Sequence, residues 1–188
     1  RVRDFVDNVI KPAMEPFGHR DDMAPEKHSE YVRELINLRK KAVEAGLWLP
    51  HMPKEWGGMG LGHVALAMVQ AESAKTRVGP WVFNCSAPDE GNMHTLLHWA
   101  TDVQKEKYLK PLLNGVSSSC FAMTEPEVAG SDPTLIRTNA IKDGDEWIIN
   151  GHKWFISGAR RAKFAILIAR TEMDVPPGSR GANTAFII

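Results

Sequence analysis

Val116 to Arg137 reads VSSSCFAMTEPEVAGSDPTLIR, and the chain changes character across it. Ser119 to Met123 is a short apolar run, as a buried strand requires. Behind it come Thr124, Ser131 and Thr134, set beside Glu125, Glu127 and Asp132 with one glycine, Gly130. Two readings fit a polar stretch that follows a strand directly. One is a capped surface turn. The other is a loop that wraps a polar, phosphate-bearing ligand.

Upstream of Val116 the apolar residues recur at helical spacing. Tyr31, Leu35, Leu38, Ala42 and Ala45 form one stripe, closed by Gly46 where a helix C-terminus favours glycine. Val64, Ala67, Met68 and Ala71 form a second, and Met93, Leu96, Leu97 and Ala100 a third. Thr101 with Gln104 predicts an N-cap and capping box for a fourth helix, which ends before Gly115. A helix at the start of the chain contains Pro12, which predicts a kink or an end there.

Downstream the texture is β. Leu135 to Ile141 alternates, and Asp143-Gly144 joins it to Trp147-Ile148-Ile149 as a hairpin signal. Asn150-Gly151 predicts a second tight turn into a strand from Lys153 to Ser157. Phe164 to Ala169 is a further apolar strand, and Glu172 to Ala182, with Pro176-Pro177, is a loop. The expected class is α+β: a helical domain over residues 1–116, then an antiparallel β domain over residues 117–188.

Lys plus Arg and Asp plus Glu number 23 each in 188 residues. A neutral chain offers no basic footprint for nucleic acid. No apolar run reaches the roughly 18 residues of a membrane-spanning helix. Cys85 and Cys120 form no Cys-x-x-Cys pair and sit among small or apolar residues, so they read as reduced, buried thiols in a reducing compartment. No secretory signal opens the chain, and it reads as cut at both ends, starting and stopping inside apolar patterns.

Three candidate sites weaken on inspection. Gly57-Gly58-Met59-Gly60-Leu61-Gly62 suggests a phosphate loop, but that mechanism needs a preceding strand, and Pro50 and Pro53 oppose one. A tight turn between helices is the better reading. Glu90, His94 and His98 share a helical face, yet no Cys is near and no His-Glu-x-x-His order exists, so no metal is expected. No Gly-x-Ser-x-Gly nucleophile turn occurs.

The polar stretch has an echo in Trp154-Phe155-Ile156-Ser157-Gly158. Each places a hydroxyl residue, Thr124 or Ser157, at an expected strand end. An isoalloxazine ring needs an apolar surface and a few donors at its polar edge. Met123 and Phe155 can supply surface, and Thr124, Ser157 and strand-end amides can supply donors. On chemistry alone, ligand loop and capped turn stand level.

Thr124-Glu125-Pro126-Glu127-Val128-Ala129-Gly130-Ser131-Asp132 resembles the Thr-Glu-Pro … Gly-Ser-Asp signature of the acyl-CoA dehydrogenases, FAD enzymes of fatty-acid and amino-acid oxidation, with one residue more than the commonest spacing. Gly144 to Lys153 is similar to the hairpin that follows it, and Pro53 to Gly60 to the family's Pro-x-Glu-x-Gly-Gly-x-Gly turn. Gln104 to Gly115 resembles the helix before the signature. Ser86 to Met93 resembles a subgroup whose larger members carry a phosphotransferase-like domain.

The resemblance implies a helical domain, a central β-barrel-like domain that is incomplete here, and a C-terminal helical domain absent from this chain. It implies FAD, with Phe121, Ala122, Met123, Thr124, Gly130, Ser131, Phe155, Ile156 and Ser157 as cofactor contacts and Ser131 as the contact to the CoA part of the substrate. Phe155, Ile156 and Ser157 stand where the family usually has Trp-Ile-Thr, which keeps an aromatic face and a hydroxyl and loses an indole N–H. It implies α,β-desaturation of an acyl-CoA, an electron-transfer flavoprotein as partner and a homo-oligomer. The location it implies is mitochondrial or peroxisomal in a eukaryote and cytoplasmic in a bacterium. The family's catalytic base is a glutamate of the C-terminal domain, so no catalytic residue is assigned here, and neither Glu125 nor Glu127 takes that role. Rival readings on the same fold are an acyl-CoA oxidase, a nitroalkane oxidase and a non-catalytic scaffold.

Overall fold

Pro12 does not end the first helix. Val2–Phe5 (α1) and Lys11–Met14 (α2) are joined by a π-helical segment, Val6–Ile10, in which the Lys11 N–H reaches the Val6 carbonyl. Proline has no N–H to donate, and its ring crowds the carbonyl four residues back. The wider turn just ahead of it relieves the crowding and lets the helix continue. The computed structural model in which this is seen describes residues 1–18, 23–130 and 132–188. It contains two compact units, Arg1–Glu90 and Gly91–Ile188.

The first unit is helical. His28–Glu44 (α3) ends where Gly46, at φ +63°, lets the Gly46 and Leu47 amides reach the Val43 and Ala42 carbonyls. It buries Leu38 and Ala42 in a core with Phe5, Val6, Ile10, Leu47, Val82 and Phe83. Each fully buried large side chain there contributes about 1.5–3 kcal/mol. His63–Ser73 (α4) behaves differently: all four residues of its expected stripe are exposed, Val64 and Met68 by 79% and 66%. Gly79–Val82 (α5) completes the unit.

Between α3 and α4 the glycine-rich stretch is a turn. Its amides are used internally: Gly58 N–H donates to Pro53 O at 3.0 Å and Gly60 N–H to Met52 O at 2.9 Å. A Cβ on Gly58 would lie 2.1 Å from the Met52 carbonyl oxygen. These glycines allow close backbone approach, and the amides from Gly57 to Gly60 are spent within the turn.

Asp89–Trp99 (α6) holds the division in its first turn. Thr101 caps Asp102–Gln104 (α7) with both halves of the capping box formed, as its spacing predicts. A second π segment, Lys105–Leu109, again precedes a Lys-Pro pair at the start of Lys110–Leu113 (α8).

Five strands follow: Ser119–Ala122 (β1), Asn139–Asp143 (β2), Glu146–Asn150 (β3), Phe164–Arg170 (β4) and Asn183–Ile187 (β5). β4 is the spine. β1 runs parallel to it from Ser119↔Phe164 to Ala122↔Leu167, β5 runs antiparallel from Ile166↔Ile187 to Arg170↔Asn183, and β2 meets it in parallel at Arg170. The β2–β3 hairpin closes through Asp143↔Glu146 as expected.

The sheet corrects the antiparallel, barrel-like expectation: it is mixed and open, ordered β1-β4-β2-β3 with β5 on β4. Hairpins announce themselves by their turns, whereas a parallel pair distant in sequence leaves no local signal. Two further expectations change. The strand expected from Leu135 to Ile141 is shorter: Pro133–Leu135 is a 3₁₀ turn, and β2 starts only at Asn139. Lys153 to Ser157 forms no strand, because Phe155 sits at φ +52°, outside the extended region.

Candidate functional site

The end of β1 meets the segment after β3. Thr124 Oγ1 donates to the Trp154 carbonyl at 2.6 Å, and Trp154 N–H donates back to the Thr124 carbonyl at 3.1 Å. Thr124 is half-buried. Gly130 closes on the same residue: a Cβ there would lie 3.1 Å from Thr124 Cγ2. Thr124, Gly130 and the Trp154–Phe155 backbone are therefore neighbours, although the sequence separates them.

Phe155 is the least expected element of this arrangement. It is 82% exposed and holds φ +52°, and its ring centroid lies 4.3 Å from that of Trp154. A bulky residue in the left-handed region is strained, commonly by about 1–3 kcal/mol. Neither hydrophobic burial nor backbone preference accounts for a Phe there. Ile156, its neighbour, packs into the sheet's apolar cluster of Ala122, Ala140, Leu167 and Ala169. Ser157 is exposed, Phe121 and Met123 are half-buried, and Ala122 is buried. Ser131, named above for the CoA contact, lies outside the described residues.

Beneath this surface lies a polar anchor. Glu125 is 2% exposed. Its Oε2 accepts from the Arg137 amide at 2.7 Å, and its Oε1 from the Thr138 amide at 2.8 Å and from Lys153 Nζ at 2.9 Å. Lys153 Nζ also donates to the Met123 carbonyl at 2.8 Å. Burial alone would push the Glu125 carboxyl up, but donors from Thr138, Lys153 and the Arg137 amide outweigh it and hold it down at about 2. A carboxylate so fully engaged is no proton acceptor near neutrality. Asp132 holds the far side of the loop by accepting from the Thr134 hydroxyl and amide, which lowers its own pKa.

The sequence singled out Thr124, Phe155, Ile156 and Ser157 but not Lys153. The signal available was a lysine directly preceding an apolar run, Trp154-Phe155-Ile156. Beside the loop lies a cleft of about 550 Å³ lined by Glu127, Val128, Ala129, Leu135, Arg137, Arg170 and Met173. Arg170 is 8% exposed.

Elsewhere the expected sites behave plainly. Glu90 accepts from Gln70 at 2.8 Å, and the His94 and His98 rings stack 6.4 Å apart. Among the described residues no three His, Cys, Asp or Glu side chains converge on a metal position. Cys85 and Cys120 are buried thiols outside any disulfide, and burial, with Glu90 nearby, pushes the Cys85 thiol up to about 12. Among the described residues no helix is long and apolar enough to cross a membrane.

A helical unit leading into a mixed sheet, with a Thr-Glu-Pro loop at its first strand end, defines the class. Residues 1–116 match the family model "Acyl-CoA dehydrogenase, N-terminal domain" and residues 120–188 match "Acyl-CoA dehydrogenase, middle domain". The chain belongs to the acyl-CoA dehydrogenase family.

It is 44% identical over 176 residues to human acyl-CoA dehydrogenase family member 11, covering 92% of this chain and 22% of that protein. It is 34% identical to a 3-(aryl)acrylate reductase of Clostridium sporogenes, covering 100% of this chain and 45% of that protein. A solved structure from Mycobacterium abscessus, provisionally named an acyl-CoA dehydrogenase, superposes with a TM-score of 0.88 at 34% identity, covering 100% of this chain and 48% of that one. The chain thus spans less than half the length of these relatives.

Proposed function

We propose that this chain is the N-terminal and middle part of an FAD-dependent acyl-CoA dehydrogenase that desaturates an acyl-CoA thioester between Cα and Cβ and passes the electrons to an electron-transfer flavoprotein. The domain limits proposed are 1–116 and 117–188, close to the family-model matches. The observation that carries the reading is Phe155: an exposed aromatic ring at a strained φ of +52°, beside Thr124. Strain of this kind persists where a site needs it. A flat apolar ligand explains what packing does not.

The residues present fit a flavin. Phe121 to Thr124, Gly130 and Phe155 to Ser157 would hold it, with the Phe155 ring as surface and the exposed Ser157 hydroxyl as donor. Ile156 contributes from behind, through the sheet's apolar cluster. Thr124 donates to Trp154 here, so its hydroxyl meets a ligand as an acceptor unless that bond is exchanged. When bound, FAD supplies the acceptor for the hydride leaving Cβ.

The rest of the chemistry concerns the thioester. The cleft beside residues 127–129 holds Arg137 and Arg170 against one carboxylate, Glu127, and its two guanidinium groups would suit CoA phosphates. The base that removes the α proton is assigned to no residue of this chain, consistent with the engaged state of Glu125.

The identity to a 3-(aryl)acrylate reductase across the whole chain favours one second reading, the reverse reaction, in which an enoyl substrate is reduced. One experiment separates the readings. The intact protein is titrated with FAD. Its oxidised form is mixed with a series of acyl-CoA substrates, and its dithionite-reduced form, without oxygen, with enoyl substrates, while flavin absorbance is followed. Reoxidation by an enoyl substrate with no bleaching by any acyl-CoA supports the reductase. Bleaching by acyl-CoA, without oxygen consumption, supports the dehydrogenase; oxygen uptake supports an oxidase; no flavin binding removes the proposal. Ser131→Ala should raise KM more than it lowers kcat, the pattern of a uniform binding contact.

A further inference from the structure

Lys153 and Trp154 are consecutive residues, and together they hold three consecutive residues of the facing loop. The Lys153 ammonium donates to Met123 O and Glu125 Oε1, and the Trp154 backbone exchanges bonds with Thr124 in both directions. Glu125 extends the grip to the Arg137 and Thr138 amides at the approach to β2. Phe155 follows immediately. Among the described ion pairs this one has the least exposed side chains, 10% for Lys153 and 1% for Glu125.

We infer that Glu125 and Lys153 are positioning residues for the flavin seat. Their buried pair fixes the Thr124 and Trp154–Phe155 backbones against each other, so that the exposed aromatic face exists before a cofactor arrives. The inference rests on the flavin reading for what is positioned, but the positioning itself is a property of the loops.

The physical argument concerns over-determination. A strained φ at Phe155 relaxes unless the flanking backbone is held. The backbone is held from the N-terminal side, by the bonds of Lys153 and Trp154, and from the C-terminal side, by Ile156 in the sheet cluster. An ion pair kept only for stability is replaceable, since buried pairs often do no better than apolar residues of similar volume. This pair also supplies the donor to Met123 O, which no apolar residue can replace. Preorganised donors and backbones lower the ordering needed on binding.

The test uses the intact protein and three variants. Lys153→Met removes the ammonium and keeps much of the side-chain volume. Lys153→Arg keeps a charge and donors. Leu109→Ala, at a fully buried position on the π segment before α8 in the same unit, lowers stability without touching any group of the Glu125–Lys153 network. FAD affinity is measured well below each unfolding midpoint, together with hydrogen exchange of peptides covering residues 121–125, 136–138 and 154–157.

Lys153→Met should weaken FAD binding by about tenfold or more and raise exchange in all three peptides, and Lys153→Arg should recover part of both. Leu109→Ala should lower the midpoint with FAD affinity within about twofold. Equal loss of affinity in Leu109→Ala and Lys153→Met would reduce the pair to a stability element and overturn the inference. Unchanged exchange and affinity in Lys153→Met would overturn it as well. If the wild type binds no FAD, the flavin reading falls. Faster exchange in Lys153→Met then still supports positioning of these loops, and unchanged exchange overturns that too.

Discussion

Thr124 and Trp154 are joined by two hydrogen bonds that run in opposite directions, 3.1 Å between their backbones and 2.6 Å from the Thr124 hydroxyl. The hydroxyl therefore fixes the loop first and meets a ligand second. Thr124→Val keeps the shape and removes that donor, leaving the Trp154 carbonyl with one partner fewer. The expected outcome is a loss of about 0.5–1.5 kcal/mol in stability. A shift in flavin absorbance and weaker FAD retention should accompany it. Thermal unfolding and FAD titration check both, and a stability loss with an unaltered spectrum would leave Thr124 a purely structural residue.

Phe155→Gly should separate stability from binding. Glycine occupies φ +52° without steric strain, and the Phe ring is 82% exposed, so little burial is lost. The Trp154 ring contact is lost, which opposes the gain. The net expectation is an apo protein as stable as the wild type or more stable, by up to about 1 kcal/mol. FAD affinity should fall at the same time. Chemical denaturation of the apo protein and FAD titration are the measurements, and a variant that is both less stable and equally tight would mean the ring packs rather than binds.

The contrast between these residues shows where sequence was informative. Helices with a stripe and a stop, such as α3 with Gly46, and the hairpin at Asp143, were legible because each signal lies within a few residues. The parallel β1–β4 pairing was not, because Ser119 and Phe164 share no turn. Val64 and Met68 gave a sound helix but not a buried face, since periodicity reports amphipathicity and not what covers it. At the site, Thr124 and Ser157 were visible as hydroxyl residues at expected strand ends, and Phe155 as an aromatic within an expected strand. Lys153 was not, because its meaning lies in Met123 and Glu125, about thirty positions upstream. A positive φ at a phenylalanine has no local sequence signal at all.

Gly58→Ala tests the turn reading of the glycine-rich stretch. The added Cβ would stand 2.1 Å from the Met52 carbonyl oxygen, a backbone atom that cannot swing away. The helical unit should lose about 3 kcal/mol or more, in the range of severe overpacking and strain. Gly62→Ala, where a Cβ meets nothing within 4 Å, serves as the matched control and should change little. A phosphate-loop role would predict the opposite emphasis, with ligand binding affected and folding spared.

Glu125 sets an acid limit on the β unit. Burial opposes its ionisation, but the donors from Thr138, Lys153 and Arg137 outweigh burial and hold the folded carboxyl at about 2, against an ordinary value of 4.5. A depressed folded pKa means that the unfolded chain binds the proton more readily. The stabilisation is therefore fully present above the unfolded value and is lost as pH falls from about 4.5 toward 2. At one pKa unit per 1.36 kcal/mol, the contribution is about 3 kcal/mol for this buried group. Glu125→Gln removes the titration and leaves one amide facing a donor. The wild type should exceed the variant in stability by several kcal/mol near neutrality, and that gap should narrow steadily below pH 4.5. Urea unfolding from pH 7 to pH 2.5 measures it, and a gap that stays constant with pH would mean the carboxylate is not held in its charged form by these donors.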